Sequence, residues 1–547
     1  KIVTNLAIDT QLDKDSLKYV LHRFQGEGPT FLTKTLPLMG KAVLEGIETG
    51  RFVTPTNFSS KKDRRLSRYF TVWLYKIFDL DGFLLDNPDT EAIKHLRMFC
   101  EYFYKLQFSS SKKEEKRAYE KAKQIEIENA KRSKSINKSW IEAVRKTFYS
   151  LYPEISGKTV VDALQHQRPV FTKGTFEGSE KLDVPYYIYK AMPDKHIGTT
   201  RTDLNQFSGY FKPYPSSPTP VRLVNEGKVS KTLLVPKDSR GPRIISKEPL
   251  HLLRMQMSFF SFLTNKLEFL SKKRINFLDQ EINRELARKS SVTREYATLD
   301  LKDASDRVLY SVVHSVFRDV PFIRYFLENT RSTTTTINGE AVKLSKVAGM
   351  GSGLTFPLLA FLCQLSVISS VKMRTGLSYK EISPHIYVYG DDLIVPTKWV
   401  NFAKQGLTAS GLEINVNKSY SRSFFRESCG GDYYNGADVS PVRAYLRAAD
   451  LGIPRNHMAG FRVNRQNHLL IVQLDRHCRV LVERGLINLA SFYYDKLDEL
   501  FEGSYGYASA NSPSIGRYSV EPIYMNYNYV HKRYVPSVVR VESALRC

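Results

Sequence analysis

Two hydrophobic spacings alternate along this chain. Residues 1–110 alternate apolar and basic stretches and read as mostly helical, with breaks at Pro and Gly. Over 221–442 short β-type runs alternate with longer helical ones, which predicts an α+β architecture. In Tyr296-Ala-Thr-Leu-Asp-Leu301 the residues Ala297, Leu299 and Leu301 share one face of a strand, while Asp300 points to the other near its end. A helix is expected to begin at Asp303, with the apolar periodicity running over 304–317. In His385-Ile-Tyr-Val-Tyr-Gly-Asp-Asp-Leu-Ile-Val-Pro396 two β-rich runs flank Gly390-Asp391, and Gly at the first central position suits a two-residue type II′ hairpin. A loop and boundary are expected around Pro213, Pro215, Pro218 and Pro220. The last hundred residues read as helical over 469–484 and 489–501, then as a tail with seven tyrosines between Tyr505 and Tyr534. There is no internal repeat.

Composition adds a partner class. With 547 residues, 42% hydrophobic and 12% aromatic, the chain can bury a large core, so wholesale disorder is excluded. At roughly 150 residues per domain, three or four compact regions are expected. Lys and Arg number 81 against 56 Asp and Glu, a net charge of +25, which points to a polyanion: RNA, DNA or an anionic membrane. The longest apolar-leaning stretch, 358–371, contains Gln364 and three serines and reads as too short to span a bilayer. No charged-then-apolar leader follows Lys1, so no secretory signal is expected, and the missing initiator Met suggests a processed or trimmed N-terminus. Cys100, Cys363, Cys429, Cys478 and Cys547 lie far apart, which argues against zinc or disulfides and for a reduced, intracellular chain. Residues 111–140 hold ten Lys/Arg and five Asp/Glu and read as a solvated surface helix, or else as a docking face for RNA or protein.

The chemistry centres on aspartates. A tight turn would push Asp391 and Asp392 to a hairpin tip, where adjacent carboxylates repel unless a cation neutralises them. Such oxygen ligands suit Mg²⁺ or Mn²⁺. Asp300, on its own strand 91 residues earlier, supplies a partner. Two such strands can hold two ions about 4 Å apart, one activating an attacking hydroxyl and one binding a triphosphate, which fits nucleotidyl transfer. Asp303 suits an N-cap; Asp306 is either an acidic first-turn residue or a hydrogen-bond partner for the ribose of an incoming nucleotide.

Three flanking elements complete the set. Ala348-Gly-Met-Gly-Ser-Gly-Leu-Thr-Phe-Pro357 is a flexible loop before a helix to about Met373, with Ser352 and Thr355 hydroxyls at the helix start. It reads as a helix cap or as a loop sensing substrate or template. Upstream, 233–249 reads as a hairpin turning at Asp238-Ser-Arg-Gly241. Lys237, Arg240, Arg243 and Lys247 there would repel one another without a triphosphate or nucleic-acid backbone nearby. Downstream, Gly411-Leu-Glu-Ile-Asn-Val-Asn-Lys418 brings Lys418 to the end of an expected strand, and 425–436 reads as a tight hairpin.

The order of basic ribbon, Asp strand, glycine loop with helix, Gly-Asp-Asp hairpin, Lys strand and closing hairpin resembles right-handed RNA-dependent RNA polymerases. More narrowly it resembles the replicase catalytic (beta) subunit of single-stranded RNA bacteriophages, the levivirus-like family. The likeness rests on Val235-Pro-Lys237, Lys247-Glu-Pro249, Asp279-Gln-Glu-Ile-Asn-Arg-Glu-Leu-Ala287, Thr298-Leu-Asp-Leu301 with Ala304-Ser-Asp306, and Met350-Gly351 with Gly353, Thr355 and Phe356. Tyr389-Gly-Asp-Asp392 and Phe425-Arg-Glu-Ser-Cys-Gly430 complete it. Ser352 departs from the family pattern, which usually has Asn, and Lys302-Asp303 stands where small residues are usual.

The resemblance implies that Asp300, Asp391 and Asp392 bind the catalytic metals, two Mg²⁺ or Mn²⁺ ions. It also implies that Lys237, Arg240, Arg243 and Lys247 meet the triphosphate, with Lys418 near the leaving group. The nucleotide-binding candidates are therefore those five cations with Asp306, Ser352 and Thr355. The implied architecture is a right hand with an antiparallel-sheet palm and helix-rich fingers and thumb: 1–290 fingers, 291–445 palm, 446–547 thumb and tail. Implied partners are single-stranded RNA template and product, nucleoside triphosphates, and host elongation factors Tu and Ts with a ribosomal protein, in the cytoplasm of a bacterial host without a membrane. The alternatives are a reverse transcriptase, whose usual aromatic after the first aspartate is missing from Leu301-Lys-Asp-Ala-Ser-Asp306, and a non-catalytic RNA-packaging protein.

Overall fold

The computed structural model describes residues 1–58, 66–106, 110–155, 198–199, 222–223, 228–238, 241–444, 465–500, 507–509, 516–519, 525–528 and 533–536. The proline loop at 213–220 and most of the tyrosine tail lie outside them. The chain forms two compact units, one of Lys1–Ser109, Pro236–Arg240 and Ala437–Cys547, the other of Ser110–Val235 and Gly241–Gly436. The two ends of the chain share a unit.

The first unit begins with helices α1 (Ile2–Asp9), α2 (Lys14–Glu27), α3 (Leu36–Thr49) and α4 (Thr90–Glu101). Asp13 and Asp89 cap α2 and α4 by accepting from backbone N–H groups of the first turn. Asp9 reaches across to accept from the Asn488 and Leu489 amides at 2.9 and 2.8 Å, so it caps the helix Ile487–Leu500 from the other end of the sequence. Glu101 is buried between Arg97 and Arg443; burial alone would raise its carboxyl, but the two guanidinium groups hold it below the usual range.

The second unit carries α5 (Lys112–Ser135), α6 (Lys138–Leu151), α7 (Leu250–Leu270), α8 (Glu281–Thr293), α9 (Tyr310–Val316), α10 (Pro321–Thr330), α11 (Thr355–Thr375) and α12 (Val400–Ala409). Strands β1 (Val229–Asp238), β2 (Gly241–Lys247), β3 (Tyr296–Leu299), β4 (Thr334–Ile337), β5 (Glu340–Lys343), β6 (Tyr387–Tyr389), β7 (Asp392–Pro396), β8 (Phe425–Ser428) and β9 (Gly431–Tyr434) follow in chain order. One sheet runs β2-β1-β4-β5, with β1 and β4 parallel. The sheet that matters for function runs β3-β7-β6, all antiparallel, with Leu299 opposite Leu393 and Tyr389 opposite Asp392.

That sheet buries Ala297, Leu299, Val388, Leu393 and Val395 in the main core, as the alternation requires. α11 lies in the same core. At 21 residues it is longer than the 358–371 stretch and is apolar enough to cross a membrane, yet 83% of its most apolar window is buried inside this fold. Its polar groups have partners: Ser366 with the Ser410 hydroxyl, Ser369 with Thr147, and Gln364 with the Tyr152 hydroxyl. On the sheet's other face, the buried Arg426 of β8 donates to the Tyr296 carbonyl at 2.6 Å, and the Glu427 amide donates to Thr298 Oγ1.

Two expected elements differ. No helix runs through 304–317: Asp303 is left-handed at φ 50° and caps nothing, Ala304–Arg307 makes a single 3₁₀ turn, and α9 starts only at Tyr310. The break arises because Val308 and Tyr310 exchange backbone hydrogen bonds with Val347 and Ser345, at 2.8 and 3.0 Å. Likewise the stretch ending at Lys418 is no strand. It makes one bridge, Ile414 to Leu301, then a 3₁₀ turn over Val416–Lys418.

Candidate active site

The two aspartate-bearing ends meet through the register of β3 and β7. Leu299 pairs with Leu393, so Asp300, just past the end of β3, and Asp392, the first residue of β7, stand at the same end of the sheet. Gly390 and Asp391 form the two-residue turn between β6 and β7. Gly390 has φ 63°, whereas Asp391 is absent from the left-handed residues, as a type II′ turn demands. A Cβ on Gly390 would stand 2.2 Å from Phe356 Cε2, so the turn needs glycine for both backbone and space. Phe356, at the start of α11, packs edge-on against Tyr389 and Phe277 and braces the tip.

The charges follow from this convergence. Asp300 is held by Asn415, whose Nδ2 donates to Asp300 Oδ2 at 2.6 Å, while the Asn415 amide donates to the Asp300 carbonyl at 2.9 Å. Burial pushes the Asp300 carboxyl up, and Asp391 adds to the rise against the pull of Lys418 and Asn415. Asp392 is pushed to about 7 by burial first, then by Asp391, Asp300 and Glu427. Lys418, half exposed, lies 3.5 Å from Glu427 and is raised chiefly by that carboxylate, with Asp300 and Asp392 contributing. Among the described residues, the Lys418 ammonium thus faces Glu427, Asp300, Asp392 and Asp432. The Cys429 thiol, in the β8–β9 turn, is pushed up to about 12 by burial and by Asp392.

This donor set is rich in hard oxygen ligands and short of positive charge, which fits a divalent cation. Among the described residues no three His, Cys, Asp or Glu side chains already stand in a metal-holding arrangement. Asp391 is exposed at the turn tip.

The glycine loop is docked firmly. The Ser246 amide at the end of β2 donates to the Met350 carbonyl at 2.6 Å, and Gly351, at φ 112°, passes so close that a Cβ would lie 2.4 Å from the Ser246 carbonyl. Gln256 of α7 accepts from the Ser352 hydroxyl at 2.8 Å and from the Gly353 amide; Thr355 donates to the Gly349 carbonyl at 2.8 Å. Both hydroxyls therefore hold the loop's own shape. Gln256 is in turn fixed by the Thr330 carbonyl, and the buried Glu248 accepts from Ser332 at 2.6 Å.

The remaining candidates are distributed unevenly. Lys237 and Arg243 are exposed on β1 and β2, Lys247 is buried at the end of β2, and Arg240 lies outside the described residues. Among the described residues, Lys418 is the cation that acts on both Asp300 and Asp392. Asp306 is paired with Lys346 at 2.7 Å. Asn415, Glu427, Phe356 and Lys346 were not singled out by residue type. Asn415 sits in the quoted Asn-Val-Asn-Lys run, but nothing local marks Lys346.

Comparison with known proteins agrees on the family. The family described as RNA replicase, beta-chain, matches residues 126–453. The RNA-directed RNA polymerase subunit beta of Escherichia virus Qbeta is 32% identical over 228 residues, 42% of this chain and 37% of that protein. The beta chains of Enterobacteria phage fr and Escherichia phage MS2 are 31% and 30% identical, over 44% and 38% of this chain and 41% and 36% of theirs. The matched part thus spans about two-fifths of the length of these curated relatives. Among solved structures, the RNA-dependent RNA polymerase of a human picorbirnavirus aligns with a TM-score of 0.33 at 12% identity, covering 50% of this chain and 55% of that one.

Proposed function

Because the chain belongs to the RNA replicase beta-chain family, we propose that it is an RNA-templated RNA polymerase replicating a viral RNA genome by metal-dependent nucleotidyl transfer. The observation that carries this reading is the pairing of Leu299 with Leu393, which brings Asp300 and the Asp391-Asp392 tip to one end of one sheet. A protein that only packages RNA has no need of carboxylates converging where each raises the other's cost of ionisation.

In this reading Asp300, Asp391 and Asp392 hold Mg²⁺ or Mn²⁺, which when bound lowers the cost of the charge that builds on the attacking and leaving oxygens. The chain's own residues do the rest. Asn415 fixes the Asp300 carboxylate, Phe356 and Gly390 fix the tip, and Lys418 offers an ammonium beside the acidic group. Lys237, Arg240, Arg243 and Lys247 take the triphosphate, and Ser352 and Thr355 shape the loop that borders the nucleotide. Right-hand architecture goes with this reading, with fingers over 1–290, palm over 291–445 and thumb over 446–547. RNA template, product RNA and nucleoside triphosphates are its substrates. We extend the proposal to host elongation factors Tu and Ts and a ribosomal protein as partners, in the bacterial cytoplasm.

The test is incorporation of single nucleotides by the full chain on an RNA template with Mg²⁺ or Mn²⁺. Ribonucleotides are expected to be incorporated and deoxyribonucleotides poorly. Preference for deoxyribonucleotides would favour a reverse transcriptase instead, and RNA binding with no incorporation a packaging protein.

A further inference from the structure

Asp306 is held in an unusual way for a residue at the start of a helical turn. Its amide donates to the Asp303 carbonyl at 2.9 Å, its carbonyl accepts from Asn129 Nδ2 at 2.7 Å, and its Oδ1 accepts from Lys346 Nζ at 2.7 Å. Lys346 is only 9% exposed. A second carboxylate, Glu126, lies 3.1 Å from the same ammonium, but its Oε1 makes no hydrogen bond, so the directional bond is the one to Asp306. Burial by itself would lower the Lys346 pKa; Asp306 and Glu126 together carry it above the ordinary lysine value, so the ammonium stays charged.

The placement of Lys346 follows from the helix break described above. Val308, Leu309 and Tyr310 pair with the backbone of Ser345, Lys346 and Val347, which sets Lys346 beside the Ala304–Arg307 turn. From Val347 the chain runs straight into the glycine loop. The other side of the clamp is α5. Besides Glu126 and Asn129, it sends Glu128 to Arg307 at 2.9 Å and Lys121 to Asp303 at 2.6 Å. The helix whose composition reads as a solvated surface thus spends three side chains on the segment that follows Asp300 and a fourth, Glu126, on Ser345 and Lys346.

One oxygen of Asp306 remains. Oδ2 has no hydrogen-bond partner among the described residues, and the side chain is 27% exposed. A carboxylate anchored through one oxygen by a buried lysine keeps its other oxygen as an acceptor for a hydroxyl donor. We propose that Lys346 is a positioning residue for sugar selection: it fixes Asp306 so that its free oxygen receives the 2′-hydroxyl of an incoming nucleoside triphosphate. The inference rests on the polymerase reading and adds to it the residue that makes Asp306 selective. A site built to accept from a hydroxyl discriminates against a ligand lacking it, because the bound ligand then covers the acceptor without pairing it.

The experiment compares kcat and KM for ribo- and 2′-deoxyribonucleotides on an RNA template, using the full chain as wild type, Lys346→Met, Lys346→Arg and the pair Glu126→Gln with Lys346→Met. The paired variant removes both members of the buried ion pair, so no unpaired charge other than Asp306 remains to unfold it. Expected is a fall of about tenfold or more in the ribo-over-deoxy ratio of kcat/KM for Lys346→Met and the paired variant. The fall should come from a higher KM for the ribonucleotide alone, with partial rescue in Lys346→Arg. A wild-type ratio in the folded paired variant, or equal losses for both sugars, would overturn the inference while leaving the polymerase reading intact. A wild-type chain that incorporates neither sugar would overturn both.

Discussion

Asp392→Asn should change how stability depends on pH, and the structure sets the size of the effect. Asp392 ionises at about 7 in the folded chain against 3.8 for an ordinary aspartate. That difference of roughly 3 units corresponds to about 4 kcal/mol of charging cost. The sign follows from which state holds the proton. Between about pH 4 and pH 7 the unfolded chain has lost it and the folded chain keeps it, so the unfolded state binds fewer protons and stability falls as pH rises. Above about pH 7 both states are ionised and this contribution is flat. In Asp392→Asn the slope disappears, and the variant should gain on wild type by about 3 kcal/mol between pH 5 and pH 8, the part of the slope that lies in that range. Urea midpoints of both proteins across that range, in chelator, measure it. Added Mg²⁺ or Mn²⁺ should restore wild-type stability at the upper end, by about 2.7 kcal/mol at a concentration a hundredfold above the dissociation constant, and should do little for the variant. Parallel stability curves for the two proteins in chelator would refute the electrostatic picture of the site.

Two further substitutions probe the parts that hold the carboxylates. Gly390→Ala should lower the thermal midpoint and abolish incorporation, because a left-handed alanine costs about 1 kcal/mol or more and its methyl meets Phe356; adding Phe356→Ala should recover only the steric share. Asn415→Ala removes the donor 2.6 Å from Asp300, a bond that favours the charged carboxylate. Its pKa should rise further, so the acidic limb of the incorporation rate moves to higher pH; an unmoved limb would show that Asn415 does not tune Asp300.

Residue spacing shows most clearly what is local. The alternation through Leu299 and Leu301, the glycine at the first position of the Gly390-Asp391 turn, and the short repeat of glycines before α11 each involve neighbours in sequence, and each appears in the fold where the spacing puts it. The tight hairpin after Phe425 does too, with Cys429 and Gly430 both left-handed between β8 and β9. Elements decided by distant partners escaped. The apolar periodicity over 304–317 is real, but pairing with residues some forty positions downstream breaks the helix at Val308 and Leu309. The charge pattern of 111–140 describes a solvated helix correctly in composition, yet Glu126, Glu128 and Asn129 have partners near residues 306 and 346 that no window could show. Asp9 capping Ile487–Leu500 is the extreme case, since it joins positions near opposite ends of the sequence.

The central claim is that Asp300 and Asp391, joined by the register of β3 and β7, hold the cation on which nucleotide transfer depends. The most direct measurement is template-directed ribonucleotide incorporation by wild type, Asp300→Asn and Asp391→Asn, with RNA binding measured on the same preparations. Each variant should lose incorporation by a factor of about a thousand or more, while binding RNA with wild-type affinity. Undiminished incorporation by either folded variant would contradict the claim.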